Sequence, residues 1–185
     1  MFVYADNAAT TAMNQAAVDA MLPAMGEFYG NPSSLHQKGR EANRALMAAR
    51  ETVAQCLGAE AREIYFTGCG TEADNWAITE AARLGAAQGK KHILSDTIEH
   101  HAVLHTLAKL EKQGFEVTLL PVHEEGIVRL EELEAAIRPD TCLVTIMYSN
   151  NEMAPSSPSV RSASSAGRRA SSSTPTRCRP WAMCP

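Results

Sequence analysis

No apolar run in this 185-residue chain approaches the roughly 20 residues needed to span a bilayer. The opening Met-Phe-Val-Tyr-Ala-Asp also lacks a basic stretch ahead of an apolar one, so a secretory leader is not expected. The chain reads as soluble and cytoplasmic. The five cysteines (Cys56, Cys69, Cys142, Cys178 and Cys184) form no C-x-x-C pair and no ligand-like spacing, which excludes a disulfide framework and a zinc site as expectations. There is no internal repeat, no Walker loop and no G-x-G-x-x-G, which argues against nucleoside triphosphate and dinucleotide binding. The last 32 residues, from Ala154, contain no acid at all, but they hold five arginines (Arg161, Arg168, Arg169, Arg177 and Arg179). Residues 1 to 153 therefore keep 12 basic against 21 acidic side chains, about −9 beneath an overall −4, and an acidic body is a poor nucleic-acid platform.

What is there, up to Tyr148, is an alternation of helical and strand patterns, as in an α/β domain with a largely parallel sheet. The patterns predict helices over 14–25 and 35–57, the second closed by Gly58, and a short buried strand over 64–67. The turn Gly68-Cys69-Gly70 follows and opens a helix from about Thr71 to Leu84, with Glu72 and Asp74 complementing its dipole. Strands over 92–95 and 116–121 flank a helix over 100–113 closed by Gly114. A helix over 130–137 is stopped by Pro139, and the apolar run 142–148 suits a strand buried on both faces. From Ala154 the sequence turns to Ser, Pro and Arg, with little apolar surface to bury, so a disordered tail is expected there.

Three places could carry chemistry. Glycines and free N–H groups at a helix start suit a phosphate at Gly70 and Thr71, though a plain strand-to-helix turn with Thr71 as N-cap gives the same pattern. Glu99-His100-His101 follows a strand, where an open α/β sheet presents side chains to ligands. A histidine there can stack on a flat cofactor or move protons, or it can simply cap its helix. His101 and His105 have the i, i+4 spacing of a metal pair, but no third ligand is nominated, so no metal is expected. Cys69 at a helix start would have an acidified thiol, or serve as a small packing residue. Asn150-Asn151-Glu152 closes the last strand, where side-chain amides can position a ligand or form the turn.

Several segments together resemble the cysteine desulfurases of the NifS/IscS type, within the class V aminotransferases. They are Tyr4-Ala-Asp-Asn-Ala-Ala-Thr-Thr11, Gly30-Asn-Pro-Ser-Ser-Leu-His36, Phe66-Thr-Gly-Cys-Gly-Thr-Glu-Ala-Asp-Asn75, Glu99-His100, Gly114-Phe-Glu-Val-Thr118, Ile137-Arg-Pro-Asp-Thr141 and Met147-Tyr-Ser-Asn-Asn-Glu152. The resemblance implies pyridoxal-phosphate fold type I, aspartate aminotransferase-like, with residues 1–20 belonging to a small domain. Residues 21–153 would then be the front of the large cofactor domain, a truncated large domain with a mainly parallel sheet. It implies pyridoxal 5'-phosphate as cofactor, with its phosphate on Gly70 and Thr71, its ring stacked on His100, which also transfers protons, and its phenolic side against Asn151. The implied reaction takes sulfur from L-cysteine, giving alanine and an enzyme persulfide. The implied partners are a sulfur acceptor or scaffold protein and a second copy in a homodimer, with neither nucleic acid nor membrane.

The family's later segments, including its Ser-Gly-His-Lys lysine and its sulfur-accepting cysteine loop, are not found in this sequence. A shift of reading frame near Met153 accounts for the tail. With permitted codons, Ala154 onward read one base earlier gives Gly-Thr-Ile-Gln-Pro, and the stretch from Ser173 gives His-Thr-Asp-Ala-Val-Gln, both family motifs in register. Residues 154–185 are thus expected to be out of frame, and the chain as it stands to be inactive. A selenocysteine lyase, another class V aminotransferase and a non-catalytic fragment are the competing readings.

Overall fold

A computed structural model describes residues 3–4, 7, 9–123, 126–147 and 150. It divides into two compact units, Met1–Phe66 and Thr67–Pro185.

The first unit carries two helices, α1 (Gln15–Gly26) and α2 (Gln37–Leu57). Asn14 starts α1 by accepting the Ala17 N–H on its side chain at 2.8 Å, the role that short polar side chains fill at helix starts. His36 Nδ1 does the same for α2, accepting from Gly39 N–H. The glycine-bearing motif before α2 is a packing device. A Cβ on Gly39 would lie 2.2 Å from the Ser34 carbonyl oxygen, and one on Gly30 would lie 2.3 Å from that of Lys38. At the far end Gly58 takes a left-handed conformation (φ 61°) and donates to Ala54 and Gln55, closing the helix where the sequence predicts.

The strand expected over 64–67 does not form. Ile64 is extended and buried, but its carbonyl accepts from the Arg50 guanidinium, which also lies over the Phe66 ring at 5.0 Å. No neighbouring strand among the described residues pairs with it, and an extended segment becomes a strand only through a ladder.

The second unit is built around three parallel strands, β1 (His92–Asp96), β2 (Glu116–Leu120) and β3 (Thr141–Val144), in the order β2-β1-β3. Its helices are α3 (Gly70–Ala86), α4 (His101–Glu111) and α5 (Leu130–Ala136). Every residue of the central β1 is buried, which explains its Ile-Leu core without alternation. Ile93 faces Ile78 and Ala82 of α3 and Val103, Leu107 and Leu110 of α4. Leu94 faces the opposite way, onto Leu120, Val128 and Leu133. Burying each of these two side chains stabilises the unit by about 1.5–3 kcal/mol. The helices therefore lie on both faces, as the alternating pattern predicts. The last strand is shorter than the apolar run 142–148, although Thr145 still donates to Leu94 at 2.9 Å.

The amino-terminal ends of the strands are tied by polar groups. His92, 1% exposed, reaches Thr141 Oγ1 with Nδ1 (2.7 Å) and Thr118 Oγ1 with Nε2 (2.9 Å), so one imidazole bridges all three strands. Burial, helped by Arg138, lowers its pKa and so favours the neutral ring. Arg138 forks onto Glu116 (2.5 and 2.9 Å) and onto Asp140. The Ile137-Arg-Pro-Asp-Thr141 motif is thus a clamp at the end of the sheet away from α4's start.

Candidate cofactor site at the carboxyl ends of the strands

The N-cap of α3 is Cys69, not Thr71, and the Cys69 side chain caps nothing. Its carbonyl accepts the first helical bond, from Ala73. The N–H groups of Gly70, Thr71 and Glu72 come before that bond, so the helix itself offers them no acceptor. Glu72 bends back to accept the Gly68 N–H at 2.7 Å, which fixes the turn. Gly70 and Thr71 are exposed, and a Cβ on Gly70 would meet nothing within 4 Å. Open space over unclaimed helix N–H groups fits a phosphate.

His100 is the N-cap of α4, and its Nδ1 accepts the Ala102 N–H at 3.1 Å. That bond leaves Nδ1 as the acceptor and directs Nε2 outward from an exposed residue. His101 stacks on His105, with ring centroids 5.6 Å apart. Among the described residues no group of three or more His, Cys, Asp or Glu side chains could hold a metal.

Both helices run back along the same face of the sheet from the strands' carboxyl ends. They are locked together by a hydrogen bond from Thr106, midway along α4, to Asn75, five residues after Gly70. Asp74, one turn beyond Gly70, is close enough to His100 for their charges to interact. Gly70, Thr71 and His100 therefore stand at one end of one helix pair. Asn151 lies outside the described residues. Its neighbour Asn150 is buried and donates Nδ2 to the Ile98 carbonyl at 2.9 Å, joining the segment after β3 to the turn after β1.

Sequence reasoning passed over the carboxyl groups beneath that turn. Asp96 is 1% exposed and Glu99 7% exposed. Asp96 accepts the Ile98 N–H at 2.9 Å, and burial raises its pKa against the pull of the Ile98, Met147 and Glu99 amides. Glu99 is pushed up to about 7, by burial first and then by the charge of Asp96. The signal was an acid ending a strand whose middle is apolar, Ile93-Leu94-Ser95-Asp96.

The aminotransferase class-V family model matches residues 3–160. The chain is 54% identical over 151 residues to a cysteine desulfurase IscS of Methanosarcina thermophila, covering 82% of this chain and 37% of that protein. It is 49% identical over 150 residues to cysteine desulfurase 2 of Trichormus variabilis, covering 81% and 37%. Among solved structures, a NifS-like protein superposes with a TM-score of 0.83 at 41% identity, covering 92% of this chain and 45% of that one. A structure described as SspA in complex with cysteine gives 0.82 at 36% identity, covering 90% and 48%. The chain thus spans 37–48% of the length of these relatives. With the family model running through both units and all described residues, the chain belongs to the aminotransferase class-V family.

Proposed function

We propose that this chain carries the cofactor-binding front of a pyridoxal-phosphate-dependent cysteine desulfurase. The observation that carries the reading is the uncapped, open start of α3 at Gly70 and Thr71, set beside His100 at the carboxyl ends of a parallel sheet. The N–H groups of Gly70 and Thr71 would hold the cofactor phosphate, aided by the helix dipole. His100 would lie against the ring and exchange a proton at Nε2, since Nδ1 is committed to Ala102. Asn151, next to the anchored Asn150, would meet the phenolic side. When bound, pyridoxal phosphate supplies an electron sink for charge developing on the substrate. The substrate is L-cysteine, the partners are a sulfur acceptor and a second copy of the protein, and the setting is cytoplasmic. Among the described residues no helix is long and apolar enough to cross a membrane. Residues 1–20 go with a small domain in this reading, and the tail from 154 is out of frame.

As it stands, the sequence holds neither the lysine segment nor the cysteine loop of this reading. We therefore expect the 185-residue chain to bind pyridoxal phosphate weakly and to release no sulfide. Equilibrium dialysis with the cofactor, competed by inorganic phosphate, tests the site. Gly70→Asp places a negative charge where the phosphate would sit, in open space that spares the fold, and should weaken binding at least tenfold. Unchanged binding in Gly70→Asp would remove Gly70 from the site. Sulfide and alanine release from cysteine by the one-base-repaired gene product, and not by the chain as written, tests the reaction.

A further inference from the structure

Asn75 and Thr106 meet between α3 and α4, and the proposed chemistry uses neither of them. Thr106 is buried midway along α4. Its Oγ1 reaches two acceptors, Asn75 Oδ1 and the Ala102 carbonyl, the latter at 2.8 Å. A hydroxyl has one hydrogen, so it serves one of them at a time. The Ala102 carbonyl already faces the Thr106 N–H, four residues on within α4. The bond across the helices therefore gives Asn75 a partner without leaving Ala102 unpaired, and the bond within α4 is a place to which the hydroxyl can fall back.

We propose that Asn75 is a positioning residue: through Thr106 it fixes how far the start of α3, with Gly70 and Thr71, stands from the start of α4, with His100. The inference rests on the reading of those two helix starts as the ends of one cofactor site.

The place of the bond suits that role. The buried residues of α3 are Ile78, Ala82 and Gly85, so residues 70–77 have none. Ile78 and Ala82 meet Val103, Leu107 and Leu110 of α4 around Ile93. Apolar contacts of this kind are non-directional and let helices slide or turn a little, whereas a hydrogen bond is strict in length and angle. Asn75 lies one turn before Ile78, in the stretch of α3 that burial does not hold. It is five residues beyond Gly70, and Thr106 is six beyond His100. At 1.5 Å per residue the tie lies about 7.5 Å from one start and about 9 Å from the other. Since the hydroxyl can fall back on Ala102, loss of Asn75 leaves no buried group unpaired and takes little stability with it. What it removes is the fixed point between the two starts.

Two ligands separate positioning from support. Pyridoxal phosphate would touch both helix starts, and inorganic phosphate only that of α3. Both are titrated into the 185-residue chain and followed by the amide NMR shifts of Gly70 and Thr71. In Asn75→Ala, pyridoxal phosphate should bind about fivefold more weakly, the order of a coupling between groups in contact, while inorganic phosphate binding and the urea midpoint stay with the parent's. Thr106→Val, which keeps the shape without the hydroxyl, should lose pyridoxal phosphate to the same degree, and the double variant no more than either alone. Thr106→Ser keeps the hydroxyl and should bind as the parent does. Undiminished pyridoxal phosphate binding in Asn75→Ala, losses that add in the double variant, or an equal loss for both ligands would overturn the proposal. Failure of the functional reading looks different: Gly70→Asp would then leave pyridoxal phosphate binding unchanged, and the positioning role would fall with that reading.

Discussion

Gly85, in the last turn of α3, offers a sharp test of how closely that helix lies on the sheet. A Cβ added there would sit 2.2 Å from Cys142 Cβ on β3, 2.9 Å from its sulfur and 3.3 Å from the Lys90 carbonyl oxygen. Carbon atoms in contact prefer about 3.5–4.0 Å, so the helix and strand would have to part by more than 1 Å. A rotamer change cannot help, because the clash is with Cys142 Cβ. Overpacking of this kind costs about 1–3 kcal/mol. Exchanging glycine for alanine inside a helix returns up to about 1 kcal/mol. The net expectation for Gly85→Ala is a loss of up to about 2 kcal/mol, read as a lowered midpoint in urea unfolding followed by far-UV circular dichroism. The geometry also predicts a pattern of rescue. Cys142→Ala keeps the offending Cβ and should not restore the midpoint, whereas Cys142→Gly removes it and should recover part of the loss. A Gly85→Ala chain more stable than the parent would mean that propensity alone governs the site and that the close approach is wrong.

Two further outcomes follow from buried polar groups. Ser95 is completely buried and its Oγ has no hydrogen-bond partner among the described residues, so Ser95→Ala should stabilise the chain by about 1 kcal/mol in the same urea assay; destabilisation would show that the hydroxyl is satisfied. Glu99 has its folded pKa raised, so the stability tied to its proton is complete below the unfolded value of 4.5 and is lost as pH rises to about 7, a total of about 3 kcal/mol. Glu116 and Asp140 act oppositely: Arg138 lowers both pKa values, so their contribution is present above the unfolded values and lost as pH falls. His92, also lowered, gives up stability as pH falls below its unfolded 6.5. Subtracting the urea profile of Glu99→Gln from that of the parent cancels these opposing groups, and a flat difference between pH 4.5 and 7 would refute the assignment to Glu99.

The parts of the fold that sequence could predict are those set by local chemistry. Asn14, Gly58 and the Ile93-Leu94 pair announce a cap, a stop and a buried strand from neighbours alone. The failure at Ile64 has a physical cause of the opposite kind. An extended apolar segment looks the same whether its carbonyl meets a strand or a guanidinium, and here Arg50, fourteen residues earlier, takes it. The start of α3 was legible to within a residue, and the alternative of Thr71 as its N-cap fails because the backbone turns two residues sooner, at Cys69. At the site, Gly70, Thr71 and His100 were legible as residue types at the starts of helices. The Asp96 and Glu99 pair was not, since an acid in a loop reads as solvated until tertiary packing buries it.

The two ends of the sheet handle charge in different ways, and the difference follows from solvent. At the amino-terminal ends Arg138 meets Glu116 and Asp140 where the groups remain partly exposed. Opposite charges there are balanced in pairs, screened by salt and individually of modest worth. At the carboxyl ends Asp96 and Glu99 are buried with like charge beside like, and no cation offsets them among their described contacts. Such an arrangement costs stability when both groups ionise, so packing alone gives no reason to keep it. What it does supply is a polar join, built from backbone amides, between the turn bearing His100 and the segment bearing Asn150. An apolar pair of the same size would fill that space but could not accept the Ile98 N–H. That half-buried group would then lose its partner, at about 1 kcal/mol. The carboxyl pair is therefore the side-chain chemistry that lets two loops close over the strand ends while leaving α3 and α4 free to present their starts.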